Sequence, residues 1–375
     1  MSIPCEIVRY TPAHKRQVAQ LETQLWYSDL PLAVRYIEWK YEQNPYASEP
    51  EIYLAFLGGK LVGVRGFYGS RWEAGVGASR VVSTIPVADD LIVAPEHRNR
   101  GVVTQIMRAA LQDLAQRGHR YVLNLSGGQI TVMGSLAMGW KSAGPLEAIG
   151  RAPRTAITRV RSALQKARFF WRFAESPLLR SGAERRPFRR LDAAARRGGP
   201  VAIAREPRVE AMSELVERLG WDGRIRHVRD PEFFGWRFGS PLASYRFLYV
   251  GGDRLEGYLV LRAPHQSIQV RTPVKIVDLE GSSAEVRSAL LETAIDSGGF
   301  PGLYAWGATL PIDARDRLSA LGFHPVHLEA RAHGCPCVLV KAIGPDSTTS
   351  SWELGGRRLT DLADWDLRML ETMAG

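Results

Sequence analysis

Apolar positions along the chain follow two different periods. Ile52-Tyr53-Leu54-Ala55-Phe56-Leu57, then Gly58-Gly59, then Leu61 to Phe67, reads as a hairpin, because adjacent glycines supply the left-handed backbone of a tight turn. Ala88-Asp89-Asp90-Leu91-Ile92-Val93 is a further strand around its apolar end. Pro95 closes it, having no N–H for a ladder bond. The period then changes: Thr104 to Arg117 places Ile106, Met107, Ala110, Leu111 and Leu114 on one helical face, and Gly118 supplies a left-handed stop.

The same order of patterns returns later. Tyr36-Ile37-Glu38-Trp39-Lys40-Tyr41-Glu42-Gln43-Asn44-Pro45 is echoed by Phe233-Phe234-Gly235-Trp236-Arg237-Phe238-Gly239-Ser240-Pro241. The echo is followed by a second hairpin, Tyr245 to Val250, Gly251-Gly252, Leu255 to Leu261. Ser135 to Trp140 and Leu318 to Phe323 each read as a helix end, a glycine cap and an aromatic opening a strand. The chain is therefore expected to hold two copies of one α/β unit, over 1–150 and 205–343. Between them, 151–204 carries Ile157, Val160, Leu164, Ala167 and Trp171 at helical spacing, then an Arg/Gly/Ala-rich stretch over 181–200 that reads as mobile linker. Trp352, Leu354, Leu359, Leu362 and Trp365 suggest that the tail, 344–375, docks back on a domain.

Composition narrows the class. With 375 residues, 45% apolar and 23% charged, two ordinary globular cores are affordable. No apolar run reaches the roughly 18–20 residues of a spanning helix, and the N-terminus does not read as an export signal. Three cysteines, two of them flanking Pro336, form no disulfide framework and point to a reducing cytoplasm. The net charge of +10 suggests nucleic acid until it is located: residues 151–200 hold thirteen Arg and one Lys against three acids, leaving the rest near neutrality. A domain-wide footprint for nucleic acid is absent. The basic helix over 154–180 could touch an anionic membrane surface, but packing across the domain junction is the favoured reading.

A helix that begins directly after a basic, glycine-containing turn aims unpaired N–H groups at one point, which suits a diphosphate. The turn, Arg98-x-x-Gly101-x-Val103, resembles the acyl-CoA signature of the GNAT N-acyltransferases, Arg/Gln-x-x-Gly-x-Gly/Ala, with Val103 departing from the final small residue. The resemblance implies an α/β (α+β) fold of two tandem GNAT-like domains, each a mixed, mostly antiparallel sheet flanked by helices. It implies acetyl-CoA or another acyl-CoA as co-substrate, and no metal. Arg98, Asn99, Arg100, Gly101, Val102, Val103 and Thr104 would cradle the pyrophosphate. Leu91, Ile92 and Val93 would pair with the pantetheine arm, Leu91 donating to the oxyanion, with Asn124 and Ser126 bonding the arm from the next strand. In the second copy, Val274 to Leu279 leads into Glu280-Gly281-Ser282-Ser283-Ala284-Glu285. It lacks the Arg-x-x-Gly turn, so that copy is expected to be degenerate and to wall in the acceptor pocket.

For catalysis, Asp90 is the preferred base over Asp89. Pairing or capping of both near the strand start is the equal alternative, and a base acting through water would also serve. Where the family often carries a Tyr, and an Asn before it, this chain has Ser135 and Gly128. Ser135 is thus the candidate acid, a far poorer proton donor than a phenol of pKa ~10. Other constellations are weaker. A Gly-x-Ser-x-Gly elbow and a Walker sequence are missing. His227-Val228-Arg229-Asp230 falls one residue short of another acyltransferase motif, and His324, His327, Cys335 and Cys337 make an awkward zinc set. Trp39 and Trp236 recur at equivalent positions and read as core. The expected activity is N-acyl transfer to a primary amine, best guessed as an amino sugar on a nucleotide carrier in polysaccharide modification. Rival acceptors are an antibiotic amine, an amino acid and a protein lysine, with oligomeric state open. The rival class is a non-catalytic CoA-binding or membrane-docked interaction protein.

Overall fold

A computed structural model describes residues 3–23, 29–125, 129–151, 187–264, 274–300, 302–326, 337–344 and 352–372. Strand β1 (Glu6–Arg9) leads through α1 (Lys15–Glu22) and α2 (Leu30–Ile37) into the hairpin of β2 (Glu51–Leu57) and β3 (Lys60–Tyr68). Gly58 and Gly59 turn it with φ of +57° and +79°, values that a side chain would disfavour. Then come β4 (Arg71–Ala74), β5 (Val81–Thr84), β6 (Val87–Val93), α3 (Val102–Gln116), β7 (Tyr121–Asn124), α4 (Gln129–Ala137), β8 (Lys141–Pro145) and β9 (Ala148–Arg151).

The second half repeats this plan. It runs α5 (Arg189–Arg197), β10 (Ala202–Ala204), α6 (Val209–Arg218), β11 (Arg226–His227), α7 (Pro231–Phe238), β12 (Ala243–Gly251), β13 (Leu255–Pro264) and β14 (Val274–Gly281). It closes with α8 (Ala284–Gly298), β15 (Leu303–Trp306), α9 (Ile312–Ala320), β16 (His324–Pro325) and β17 (Cys337–Ala342). Local features recur too, although the capping acids are four positions out of register with the Trp motif. Asp29 caps α2 by accepting from Leu32 N–H at 3.1 Å, and Asp230 caps α7 by accepting from Phe233 N–H at 2.8 Å. A Cβ on Gly63 would lie 2.9 Å from Val102 and Ile106, and one on Gly257 2.4 Å from Val286. Both glycines let a helix lie close on its sheet.

The two sheets differ from a simple reading of the repeat. The first has the order β1-β2-β3-β6-β7-β17-β8 and the second β10-β12-β13-β14-β15-β9-β16. Strand β17 leaves the second half to pair antiparallel with β7 and β8. Strand β9 leaves the first half to pair with β15 and β16. Each seven-stranded sheet is completed by a strand from the other half of the sequence. A small third sheet, β11-β4-β5, also joins the halves, with the Arg226 guanidinium 2.7 Å from Glu73.

One hydrophobic cluster runs between the sheets and draws on both halves, from Leu32, Leu54 and Ile92 to Phe234, Tyr258 and Leu370. Trp39 of this cluster stacks at 5.3 Å on the half-buried Trp236 packed against it. Each indole N–H donates to the other residue's carbonyl, at 2.6 and 2.7 Å. Two further clusters lie beneath α3 and α8 on the outer faces of the sheets. In the tail, Leu359, Trp365 and Leu370 are buried. The linker expectation needs a correction: within 181–200, residues 189–197 are helical, with Leu191 buried in the second core. Leu191 and Ala194, one turn apart, carried that signal beneath the arginines. The stripe expected over 154–180 lies outside the described residues.

Candidate functional site

The turn between β6 and α3 is built on two left-handed residues. Asn99 and Gly101 both hold left-handed backbone, with φ of +59° and +74°. Together they point successive N–H groups into one concavity. Helix α3 starts at Val102 with neither a side-chain cap nor an acid in its first turn. Among the described residues, the N–H groups of Val102, Val103 and Thr104 meet no acceptor. The positive end of a 15-residue helix is therefore left open to an anion. Arg98 and Arg100 are exposed beside it. Arg98 Nε donates to Val93 O at 3.1 Å, fixing the turn to the strand end. The N-terminal segment braces the other side: Ile3 N–H donates to Arg100 O at 3.3 Å, and Gln105 bonds both Ile3 O and Cys5 N–H.

Beside this turn the first sheet splits. Strands β6 and β7 pair only at Val87 and Leu123, so the edge of β6 through Leu91, Ile92 and Val93 is free of a β7 ladder. A bulge marks the split. Arg65 faces Leu91 and Gly66 faces Asp89, which makes Asp90 the extra residue, with φ of +49°. An aspartate tolerates this conformation better than most side chains. Gly66 is required opposite it, because a Cβ there would lie 2.0 Å from the Tyr41 hydroxyl.

A closed polar cluster lies behind the bulge. The chain after α2 makes a wide turn, with Gln43 N–H bonding Glu38 O five residues back at 2.8 Å. That turn turns Trp39, Lys40 and Tyr41 inward together. Lys40 has no exposure at all. Its ammonium donates to Tyr36 OH at 2.7 Å, Asp89 Oδ2 at 2.8 Å and Asp90 Oδ2 at 2.6 Å. Asp90 also accepts from Tyr41 OH at 2.7 Å and Tyr36 OH at 3.3 Å. Burial alone would lower the Lys40 pKa, but the two carboxylates outweigh it and raise it above the ordinary value. Burial, reinforced by Asp90, pushes the Glu22 carboxyl at the end of α1 well above its usual range.

These contacts decide how the expected catalytic residues sit. Asp90 is 3% exposed, and its bonds are to the interior donors Lys40, Tyr36 and Tyr41. Ser135 is buried on α4, its carbonyl accepting from Met138 and Trp140 N–H. Asn124 is buried on β7, opposite Leu339. Ser126 lies outside the described residues. Lys40, Tyr36, Tyr41, Glu22 and Arg65 did not stand out in the sequence. Only Trp-Lys-Tyr beside its repeat Trp-Arg-Phe hinted that the middle position is inward and basic.

The second copy has the same frame with its openings filled. Ser283 caps α8 by accepting from Val286 N–H at 3.3 Å, and Glu285 occupies the first turn. Asp278 on β14 is again a buried acid, held by Arg229 at 3.1 Å and Tyr258 at 2.8 Å. Strands β14 and β15 pair only at their start. Leu367, Arg368 and Met369 of the tail lie against that split, leaving a void of about 10 Å³, room for about one water. Arg237, the repeat of Lys40, donates to the Leu370 and Thr372 carbonyls at 2.7 and 2.9 Å.

The remaining candidates are structural. His227 is buried, its pKa pushed down to about 3 by burial, and its Nδ1 lies 2.8 Å from Val228 O. Of the suggested zinc set, His327 and Cys335 lie outside the described residues. Among the described residues no group of His, Cys, Asp and Glu could hold a metal, and no helix is long and apolar enough to cross a membrane.

Comparison with known proteins agrees with this geometry. Residues 6–136 match the sequence profile of the acetyltransferase (GNAT) domain. A GCN5-related N-acetyltransferase from Anabaena variabilis ATCC 29413 superposes with a TM-score of 0.55 at 13% identity, over 91% of this chain and 73% of its own. A conserved protein of unknown function from Enterococcus faecalis V583, described as a probable N-acyltransferase, gives 0.55 at 10% identity, over 92% and 74%. Proteins of curated function yield no match. Residues 6–136 thus form a GNAT acetyltransferase domain, and the chain as a whole shares the fold of these structures.

Proposed function

We propose that this chain is an N-acyltransferase that takes an acyl group from acyl-CoA and places it on a primary amine, with the donor bound by the first copy alone. One contrast carries the reading: the N-terminus of α3 is uncapped, left-handed at its lip and flanked by two arginines, whereas the equivalent end of α8 is capped by Ser283 and faced by Glu285. Favourable charge at a helix N-terminus is worth roughly 0.3–1 kcal/mol at an exposed site. Several N–H groups and Arg100 converging on one diphosphate add charge-assisted bonds to that.

Acyl-CoA supplies an acyl group already activated as a thioester. The residues of this chain would do the rest. The turn from Arg98 to Thr104 holds the diphosphate, and the β6 edge from Leu91 to Val93 offers backbone groups to the arm, as the split from β7 suggests. The Lys40–Asp89–Asp90 cluster fixes the bulge and hence the direction of that edge. With Asp90 committed to interior donors, the amine is expected to react in its neutral form, its proton passing by way of water to the departing CoA thiolate, which leaves as the thiol. The acceptor implied by the sequence resemblance, an amino sugar on a nucleotide carrier, is the first to test, with amino acids next.

The test is calorimetric titration with CoA, followed by thiol release from acetyl-CoA against those amines. Gly101→Glu places a side chain at a left-handed position and a negative charge at the cradle. It is expected to weaken CoA binding by about tenfold or more. Absence of CoA binding by the unaltered chain overturns the reading. A second reading, CoA binding without turnover, is favoured by Ser135 standing where a phenol is expected. CoA binding without thiol release on any acceptor is its signature.

A further inference from the structure

Arg65 is the one residue around the split whose chemistry is unused. It sits in the middle of β3, directly opposite Leu91, and is 3% exposed. Among the described residues it has no hydrogen bond and no ion pair; its Nε is buried without an acceptor. Its guanidinium carbon lies 5.7 Å from the Phe67 ring centroid. The nearby carboxylates of Asp89 and Asp90 bond Lys40 and act on Arg65 only through space, as charges without a hydrogen bond to it.

The face on which Arg65 lies follows from strand alternation. Gly63 faces Val102 and Ile106 of α3, and Gly66 faces Tyr41 on the opposite side. Arg65 therefore shares the α3 face with Gly63 and with Phe67, which packs there beside Val102 and Ile106. On β7, Val122 belongs to that same cluster, so Asn124 faces the same way. Residues Val132 and Met138, flanking Ser135 along the chain, pack against it as well. The guanidinium without a hydrogen bond thus lies on the face that holds Leu91 and Asn124, where the split strands open. An arginine stays protonated even when buried, and buried N–H groups left without an acceptor are retained at a cost.

We infer that Arg65 is the counter-ion for a substrate carboxylate bound at the strand split, so that the enzyme selects either a dicarboxylic acyl group or a carboxylate-bearing amine. A single guanidinium matches the one negative charge of a carboxylate in bidentate geometry. A phosphate dianion would call for a second cation, and two others on this face are engaged elsewhere, Arg9 with Glu49 and Asp113 and Lys341 with the Met138 and Gly139 carbonyls. The inference rests on the acyl-CoA reading, which CoA alone tests separately.

The experiment uses the full chain and Arg65→Met, which keeps the side chain's bulk. Titrations with CoA, acetyl-CoA and succinyl-CoA form one arm. Thermal shift and thiol release with lysine against cadaverine, and phenylalanine against phenethylamine, form the other. In one arm the carboxylate-bearing ligand is expected to gain about tenfold or more over its partner, and Arg65→Met to erase that gain while CoA affinity stays unchanged. The arm that responds identifies the source of the carboxylate. Because none of the described residues bonds the guanidinium, unliganded Arg65→Met is expected to melt no lower than the parent. CoA binding with no carboxylate preference in either arm overturns the inference and leaves the acyl-CoA reading intact. A melting point several degrees lower shows a structural guanidinium and overturns it as well. Failure of CoA to bind overturns both.

Discussion

At the scale of single residues, the site rests on a buried ammonium facing two carboxylates. Replacing such a cation leaves uncompensated charge in the interior, which typically costs about 3–5 kcal/mol. Lys40→Met is therefore expected to destabilise the chain by that order. Asp90→Asn is expected to cost less, because Lys40 keeps Asp89 and asparagine accepts the left-handed backbone at that bulge. Urea unfolding of both variants checks the order. Equal losses would mean that the bulge, not the charge balance, dominates. Asp90 was visible in the sequence as an acid beside an apolar strand. Its partner was not, because Lys40 lies fifty positions away and adjacency across that distance is a property of the fold. The sequence could list both fates for Asp90, base or paired acid, but choosing between them required seeing Lys40.

At the scale of elements, hairpins, glycine turns and the α3 stripe were legible because each is a local pattern with a local cause. The β4–β5 hairpin and the helix at 189–197 were missed, since short strands and an arginine-rich helix leave only a weak apolar period. The tail was legible as docking but not in what it does, which is to fill the split of the second sheet. Its Glu371 adds a pH dependence. Burial raises this carboxyl from 4.5 to about 8, against the pull of Arg229 and Arg368. Its Oε2 accepts from Arg368 N–H at 3.0 Å, while Oε1 has no partner among the described residues. A raised folded pKa means that the native state holds the proton more tightly than the unfolded chain. The stability from this group is complete below about pH 4.5 and is lost as pH rises through about 8. Glu371→Gln, which keeps a neutral side chain, should flatten the stability curve in that window by a few kcal/mol. Parallel curves for parent and variant, by thermal melts across the window, would refute the assignment.

At the scale of the whole molecule, duplication was readable in the repeated Trp motif and hairpins, and the exchange of strands was not. Strands β9 and β17 each follow their own copy in sequence with the pattern that copy needs, and nothing local says which sheet they enter. That choice is set by long-range pairing, where a strand of the right period fits either sheet. Its consequence is physical. Without β17 the first sheet loses the partner of both β7 and β8, while β9 is left as an unpaired apolar edge, a recognised route to aggregation. The Trp39–Trp236 stack and the shared core add apolar contacts that neither half can make alone. We therefore expect a fragment spanning residues 1–204 to be insoluble or unable to bind CoA when produced alone, although it carries every residue of the phosphate cradle. Co-production with residues 205–375 should restore binding, since the exchanged strands can pair between separate chains. The intact protein should unfold in a single calorimetric transition, with van't Hoff and calorimetric enthalpies equal. Two resolved transitions, or a soluble 1–204 fragment with full CoA affinity, would mean that the first sheet closes without its borrowed strand. In that case the second copy would be an accessory rather than half of the fold on which the site is built.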